Sequence, residues 1–250
     1  MTRREFLRLM ALSGFAFAAS SDILKADASK TNGTAKKAAK RYAMVVSVPG
    51  CAKKEGCTAC IDACRRTHNV PDIPDVRRQI KWIWTSPFEA LFPEQPTYAQ
   101  QLRGRQTLAL CNHCEDPPCV AVCPTKATFK RDDGIVVMDY HRCIGCRYCM
   151  AACPYGARSF NWQDPRPFIH TIDKGYPTRA KGVVEKCNFC EERLLRGLAP
   201  ACVDACADNC LAFGDLNDES SSVRKLLASR PALRRKPELG TRPKVFYLLA

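Results

Sequence analysis

The chain has 250 residues, room for one or two domains, and its 39 basic and 25 acidic residues give a formal charge of +14. Its 17 cysteines exclude an ordinary reduced cytosolic enzyme and leave disulfides, zinc sites or iron–sulfur clusters as explanations. The basic balance fits an acidic docking partner or anionic headgroups at least as well as nucleic acid.

Residues 2–8 read T-R-R-E-F-L-R. The twin arginine, Phe6, Leu7 and the modestly apolar run Leu9 to Ala19 resemble a twin-arginine export signal. A-x-A-like cleavage options follow at Ala16–Ala18 and Ala26–Ala28. The apolar run is far shorter than the ~20 residues of a membrane span. Residues 1–28 are therefore expected to be a signal peptide, and the protein periplasmic, exported folded, on the outer face of the cytoplasmic membrane. Export after folding suits a cysteine-rich protein, whose free thiols would otherwise cross-link in an oxidising compartment. Residues 29–42 are polar and basic and read as a linker.

Met44–Val48 is a strand candidate. Cys51, Cys57, Cys60 and Cys64 follow with gaps of five, two and three residues. Thr58 to Thr67 can form a short helix carrying Cys60 and Cys64. Residues 69–106 hold no cysteine and read as an insertion containing the strand candidate K-W-I-W-T (81–85), with Trp82 and Trp84 on one side. The second motif is Cys111, Cys114, Cys119 and Cys123-Pro124. The run 128–140 has Asp133-Gly134 between two β-rich stretches, a hairpin signal. It leads into Cys143, Cys146, Cys149 and Cys153-Pro154, spaced C-x2-C-x2-C-x3-C-P, the bacterial ferredoxin run for 4Fe–4S clusters. After a second insertion (157–182) come Cys187, Cys190, Cys202 and Cys206. Ser222–Ser229 reads as an amphipathic helix, and 238–248 as an extended tail.

The motifs decide between the three explanations. Structural zinc takes separated cysteine pairs, whereas the second and third motifs are triplets plus one, followed by proline. Four recurrences of C-x2-C also lack the spread of a disulfide scaffold. Three cysteines of a ferredoxin run hold one cluster, and the fourth ligates its neighbour. This rule pairs Cys143, Cys146 and Cys149 with Cys123, and Cys111, Cys114 and Cys119 with Cys153. It pairs Cys187, Cys190 and Cys202 with Cys64, and Cys51, Cys57 and Cys60 with Cys206. The wide gap after Cys51 makes the last site the least secure; without Cys51 it would hold 3Fe–4S or nothing. Cys210 is left over, expected as a buried free thiol. Each filled site adds roughly −2, so the basic excess partly compensates buried negative centres. Arg142 and Arg147 are candidates for raising a potential. His113 and His141 read as neighbours of the cluster cysteines or surface residues. No nucleotide-binding glycine run or nucleophile elbow is present, so no catalytic residue is expected.

The four motifs, with C-N-H-C-E-D-P-P-C-V-A-V-C-P (111–124) and R-D-D-G-I-V-V-M-D-Y-H-R-C-I-G-C-R-Y-C (131–149), resemble the four-cluster electron-transfer subunits of polysulfide, dimethyl sulfoxide and nitrite reductase systems. The resemblance implies an α+β fold of two pseudo-symmetric bis-4Fe–4S ferredoxin-like modules over 43–217. The inner module would span about 107–156 and the outer one 43–68 plus 183–217, with 218–250 as a C-terminal helix and tail. It also implies four 4Fe–4S clusters and no substrate chemistry. The signal, H-N-V-P-D-I-P-D (68–75), K-W-I-W (81–84), R-S-F-N-W-Q-D-P-R-P-F (158–168) and the tail are similar to the DsrO-type periplasmic subunits of sulfite-reduction-associated DsrMKJOP membrane complexes. The implied partners are a multihaem cytochrome c and a quinone-reactive NrfD-like membrane subunit. The alternative is the electron-transfer subunit of a molybdopterin oxidoreductase. The gap after Cys51, and Ala207 in place of proline after Cys206, depart from the pattern at the outer pair.

Overall fold

Strand β1 (Tyr42–Ser47) reads Y-A-M-V-V-S, and its apolar centre, Ala43 to Val46, is fully buried. A strand buried on both faces needs partners on both edges, and β1 has them. The computed structural model describes residues 39–52, 56–95, 97 and 99–249. The expected signal peptide and most of the linker lie outside them. Among the described residues no helix is long and apolar enough to cross a membrane.

Along the chain, β2 (Ile83–Pro87) pairs antiparallel with β3 (Gln106–Leu110), Ile83 facing Leu110. β4 (Thr128–Lys130) and β5 (Val136–Met138) form the expected hairpin, Thr128 facing Met138. Gly134 turns it at φ +78, where a side chain would also run into the Lys244 ammonium. β6 (Ser159–Phe160) pairs with β7 (Val184–Glu185), so both ends of the second insertion meet in one short ribbon. β8 (Leu211–Asp215), β9 (Ala232–Leu233) and β10 (Val245–Leu248) join β1 in a four-stranded sheet of order β8-β1-β10-β9. β1 runs antiparallel to β8 and parallel to β10, Met44 facing Val245.

This sheet corrects the expectation of a tail. The 238–248 segment ends in a strand lying between β1 and β9, with Val245, Tyr247 and Leu248 buried. Its basic, proline-containing approach resembles a surface tail, whereas V-F-Y-L packs in the core. Each such buried side chain stabilises the fold by about 1.5–3 kcal/mol. The expected helix at Ser222–Ser229 forms. It is capped by Ser221, whose hydroxyl accepts from the Arg224 amide at 3.2 Å, and it seats Val223 in a cluster with Ala43, Val45 and Leu248. Mixed helix and strand with short loop-borne helices make this an α+β protein, and residues 38–250 form one unit.

The first insertion is tied into the core. Trp82, just before β2, is buried and stacks on His68 at 4.6 Å between ring centres, and the half-buried Trp84 packs against the same cluster. The helix Ala59–His68 ends there, with Asn69 in the left-handed conformation.

Candidate iron–sulfur sites

The second, third and fourth motifs share one local device, a tight turn followed by a short helix. Arg147 (φ 63) precedes the helix Tyr148–Ala151, and Cys190 (φ 53) precedes Glu191–Leu194. Pro117 and Pro200 lead into Pro118–Ala121, which carries Cys119, and Ala201–Asp204, which carries Cys202. Gly145 within C-I-G-C has φ +71 and lies so close to the Gly182 carbonyl that a Cβ would clash.

The sixteen motif cysteines fall into four groups. Cys123, Cys143, Cys146 and Cys149 line one cavity with Thr125, Gly145 and Val184. Cys114 lies within electrostatic reach of Cys111, Cys119 and Cys153. Cys64 faces Cys187, Cys202 and Cys190. Cys51, Cys57, Cys60 and Cys206 line a fourth cavity. Every group thus takes three cysteines from one motif and one from another. Cys51 joins its group despite the five-residue gap. Cys210 is buried at the edge of the same cavity, and its amide donates to Cys206 Sγ at 3.2 Å.

The groups also follow one another in space. Cys60 neighbours Cys64 and Cys202, Cys187 neighbours Cys111, and Cys149 neighbours Cys119. The series therefore runs from the Cys51 group through the Cys187 and Cys111 groups to the Cys143 group. Cys64, Cys187, Cys190 and Cys202 in the interior are all buried, whereas Cys57 at one end and Cys146 at the other are exposed.

The chemistry of the groups fits an anionic cluster held by thiolates. Burial, followed by neighbouring cysteines, pushes the Cys60 and Cys114 thiols up to about 12 and raises Cys64, Cys187 and Cys202 as well. Four packed thiols of this kind ionise together only around a cationic core, which iron supplies. Backbone amides already point at sulfur: Phe189 N donates to Cys187 Sγ and Ala201 N to Cys190 Sγ, each at 3.4 Å. At Cys123 burial opposes the thiolate, but the Thr125 hydroxyl and the amides of Thr128, Thr125 and Ala127 outweigh it and lower the pKa.

Two buried cations strengthen the fit, and sequence reasoning missed both. Arg158 is buried with Nη2 unpartnered. Lys186 is buried and donates to two carbonyls, those of Val136 and of Cys187, the latter at 2.8 Å. Buried cations need compensation, and cysteine sulfurs lie near both. The available signal was a lone charge in the small-residue run after Cys153-Pro154, and a lysine directly before Cys187. Of the two arginines that the sequence singled out, Arg147 lines the cavity of Cys123, Cys143, Cys146 and Cys149, and Arg142 does not. Arg142 is exposed and pairs with Asp139 at 3.3 Å. Arg147 lays its guanidinium over Trp162 at 4.8 Å and Phe160 at 5.4 Å.

The histidines divide. His113 is buried, stacks on Phe189 at 3.6 Å and accepts from the Val136 amide at 3.1 Å. Burial, then Lys186, Lys244 and Arg158, hold its pKa well below the usual value, so it stays neutral. His141 is exposed. His68, which the sequence did not single out, is buried with Nδ1 3.7 Å from Cys64 Sγ and Nε2 2.9 Å from Glu192 Oε1.

Comparison with known proteins agrees with this chemistry. The family model described as "4Fe-4S dicluster domain" matches residues 106–166 and 172–216. The sequence is 41% identical over 228 residues to the Hdr-like menaquinol oxidoreductase iron-sulfur subunit 1 of Archaeoglobus fulgidus, covering 83% of each protein. It is 41% identical over 211 residues to the B subunit of polysulfide reductase from Wolinella succinogenes, covering 84% of this protein and 95% of that one. Against the NrfC homolog of Haemophilus influenzae the identity is 39% over 211 residues, covering 84% and 80%. The protein belongs to the family of 4Fe–4S iron–sulfur subunits that carry electrons in membrane oxidoreductase complexes and are not their catalytic subunits.

Proposed function

We propose that this subunit holds four 4Fe–4S clusters on the sixteen cysteines of its four groups and relays single electrons along them. The observation that carries the reading is the mixed grouping: each set of four draws three cysteines from one motif and one from another. The domain boundaries follow as two bis-cluster modules, an inner one around 107–156 and an outer one from 43–68 with 183–217, with Cys187 and Cys111 within electrostatic reach of one another. A bound 4Fe–4S cluster accepts and releases one electron at a time. The protein supplies the rest. Its cysteines fix the sites in series, the buried interior excludes water, and amide donors and buried cations offset the negative charge.

We place the two ends of the series at a periplasmic multihaem cytochrome c and at a quinone-reactive NrfD-like membrane subunit, in a sulfur-metabolism complex of the outer face of the cytoplasmic membrane. The resemblance to DsrO-type subunits, the twin-arginine signal and the menaquinol-oxidoreductase relative support this reading. Relatives named as tetrathionate and arsenate respiratory reductase subunits favour a second one, the electron-transfer subunit of a molybdopterin oxidoreductase. Isolating the native membrane complex and identifying its subunits separates the two. A haem protein with a polytopic membrane subunit supports the first; a large molybdenum subunit supports the second.

A further inference from the structure

A guanidinium buried without a counter-charge is costly. Arg158 is 5% exposed. Its Nη1 donates to Thr128 Oγ1 at 3.0 Å and touches Met138 Sδ at 3.7 Å, while Nη2 finds no acceptor among the described residues. Thr128 and Met138 line the cavity of Cys123, Cys143, Cys146 and Cys149, and Cys119 packs in one cluster with Cys149, so that the sulfurs of Cys119, Cys149 and Cys111 face its charge. Cys111 and Cys119 belong to one cysteine group and Cys149 to the next. A single fixed positive charge therefore stands between two adjacent sites.

We propose that Arg158 sets the potentials of these two sites, holding both above the values they would have without it. Reduction of a site adds one negative charge to a centre that is already net negative. A cation in a poorly screened interior stabilises the reduced form more than the oxidised one. One electron arrives and one leaves, with no bond made or broken. Arg158 acts through the clusters and is a positioning residue. It lies five residues past Cys153, beyond the ligands themselves, and its contacts with Thr128 and Met138 fix it against the β4–β5 hairpin.

The inference rests on the reading that these sites hold 4Fe–4S clusters, and iron analysis of the unaltered full-length protein tests that separately. The decisive experiment is a redox titration followed by electron paramagnetic resonance on the full-length protein carrying Arg158→Gln or Arg158→Lys. Arg158→Gln is expected to lower two of the potentials by at least tenfold in the electron-sharing equilibrium, about 59 mV, with the others unmoved. Arg158→Lys, which keeps the charge, is expected to hold them near the original values. Should Arg158→Gln lose iron from these sites, the iron-replete Arg158→Lys protein decides, and potentials displaced there by more than about 59 mV overturn the proposal. Unmoved potentials in an iron-replete Arg158→Gln protein, or a lysine variant that behaves like glutamine, would overturn the proposal.

Discussion

Trp82 Nε1 donates a hydrogen bond to Glu185 Oε2 at 2.9 Å, and this contact ties the first insertion to β7. The same carboxylate lies 2.7 Å from Arg179 Nε and accepts from Asn161 Nδ2 at 2.6 Å. Arg179 also donates to the carbonyls of His68 and, at 2.7 Å, of Asn69. Glu185 and Arg179 are almost fully buried, and the network reaches the end of the helix that carries Cys60 and Cys64. Breaking a buried pair by neutralising one partner costs about 3–5 kcal/mol. Glu185→Gln is expected to destabilise the full-length protein by that order, read in chemical denaturation. A midpoint equal to the parent's contradicts the role.

Cys210 is expected to be dispensable for the cluster beside it. Burial, followed by Cys206 and Cys51, raises its thiol to about 11, so it is neutral at physiological pH. Its amide donates to Cys206 Sγ, a contact any residue but proline supplies, and its thiol adds a side-chain hydrogen bond to Cys206. Cys210→Ala should retain the parent's iron content and resonance spectrum, whereas Cys206→Ala should lose or alter one cluster. Loss of iron from Cys210→Ala would make it a ligand.

Gly145 is predicted to be irreplaceable in the third motif. Its φ of +71 and its approach to the Gly182 carbonyl leave no room for a methyl group. A strained backbone position costs on the order of 1–3 kcal/mol, and here the strain falls on the loop between Cys143 and Cys146. Gly145→Ala should lower iron by up to about four atoms, one cluster's worth. Unchanged iron and spectrum would show that the loop yields.

Truncation tests the sheet. β10 contributes fully buried Val245 and Tyr247 between β1 and β9. Deleting residues 245–250 should leave an insoluble or protease-sensitive protein. A truncated form that melts like the parent would restore the tail reading.

The sequence disclosed the site more readily than the fold. Cysteine spacing is a local property, so the 4Fe–4S character of the motifs and the hairpin at Asp133-Gly134 were legible from it. Cys51 lines one cavity with Cys57, Cys60 and Cys206 in spite of the irregular gap. What stayed hidden depends on distant pairing. Val245–Leu248 looks like any short apolar run until β1 is placed beside it. Arg158 looks like a surface charge until the hairpin closes over it. Arg142 drew attention by adjacency to the motif, yet it is exposed and pairs with Asp139, whereas Arg147 lines the cavity of the Cys143 group with its guanidinium over Trp162.

The central claim is that sixteen cysteines in four mixed groups hold four clusters. Iron analysis of the full-length protein, purified without air, tests it most directly. The account predicts about sixteen iron atoms per protein, four for each cubane, in a brown protein with no zinc. Eight or fewer, or a colourless protein containing zinc, would contradict it.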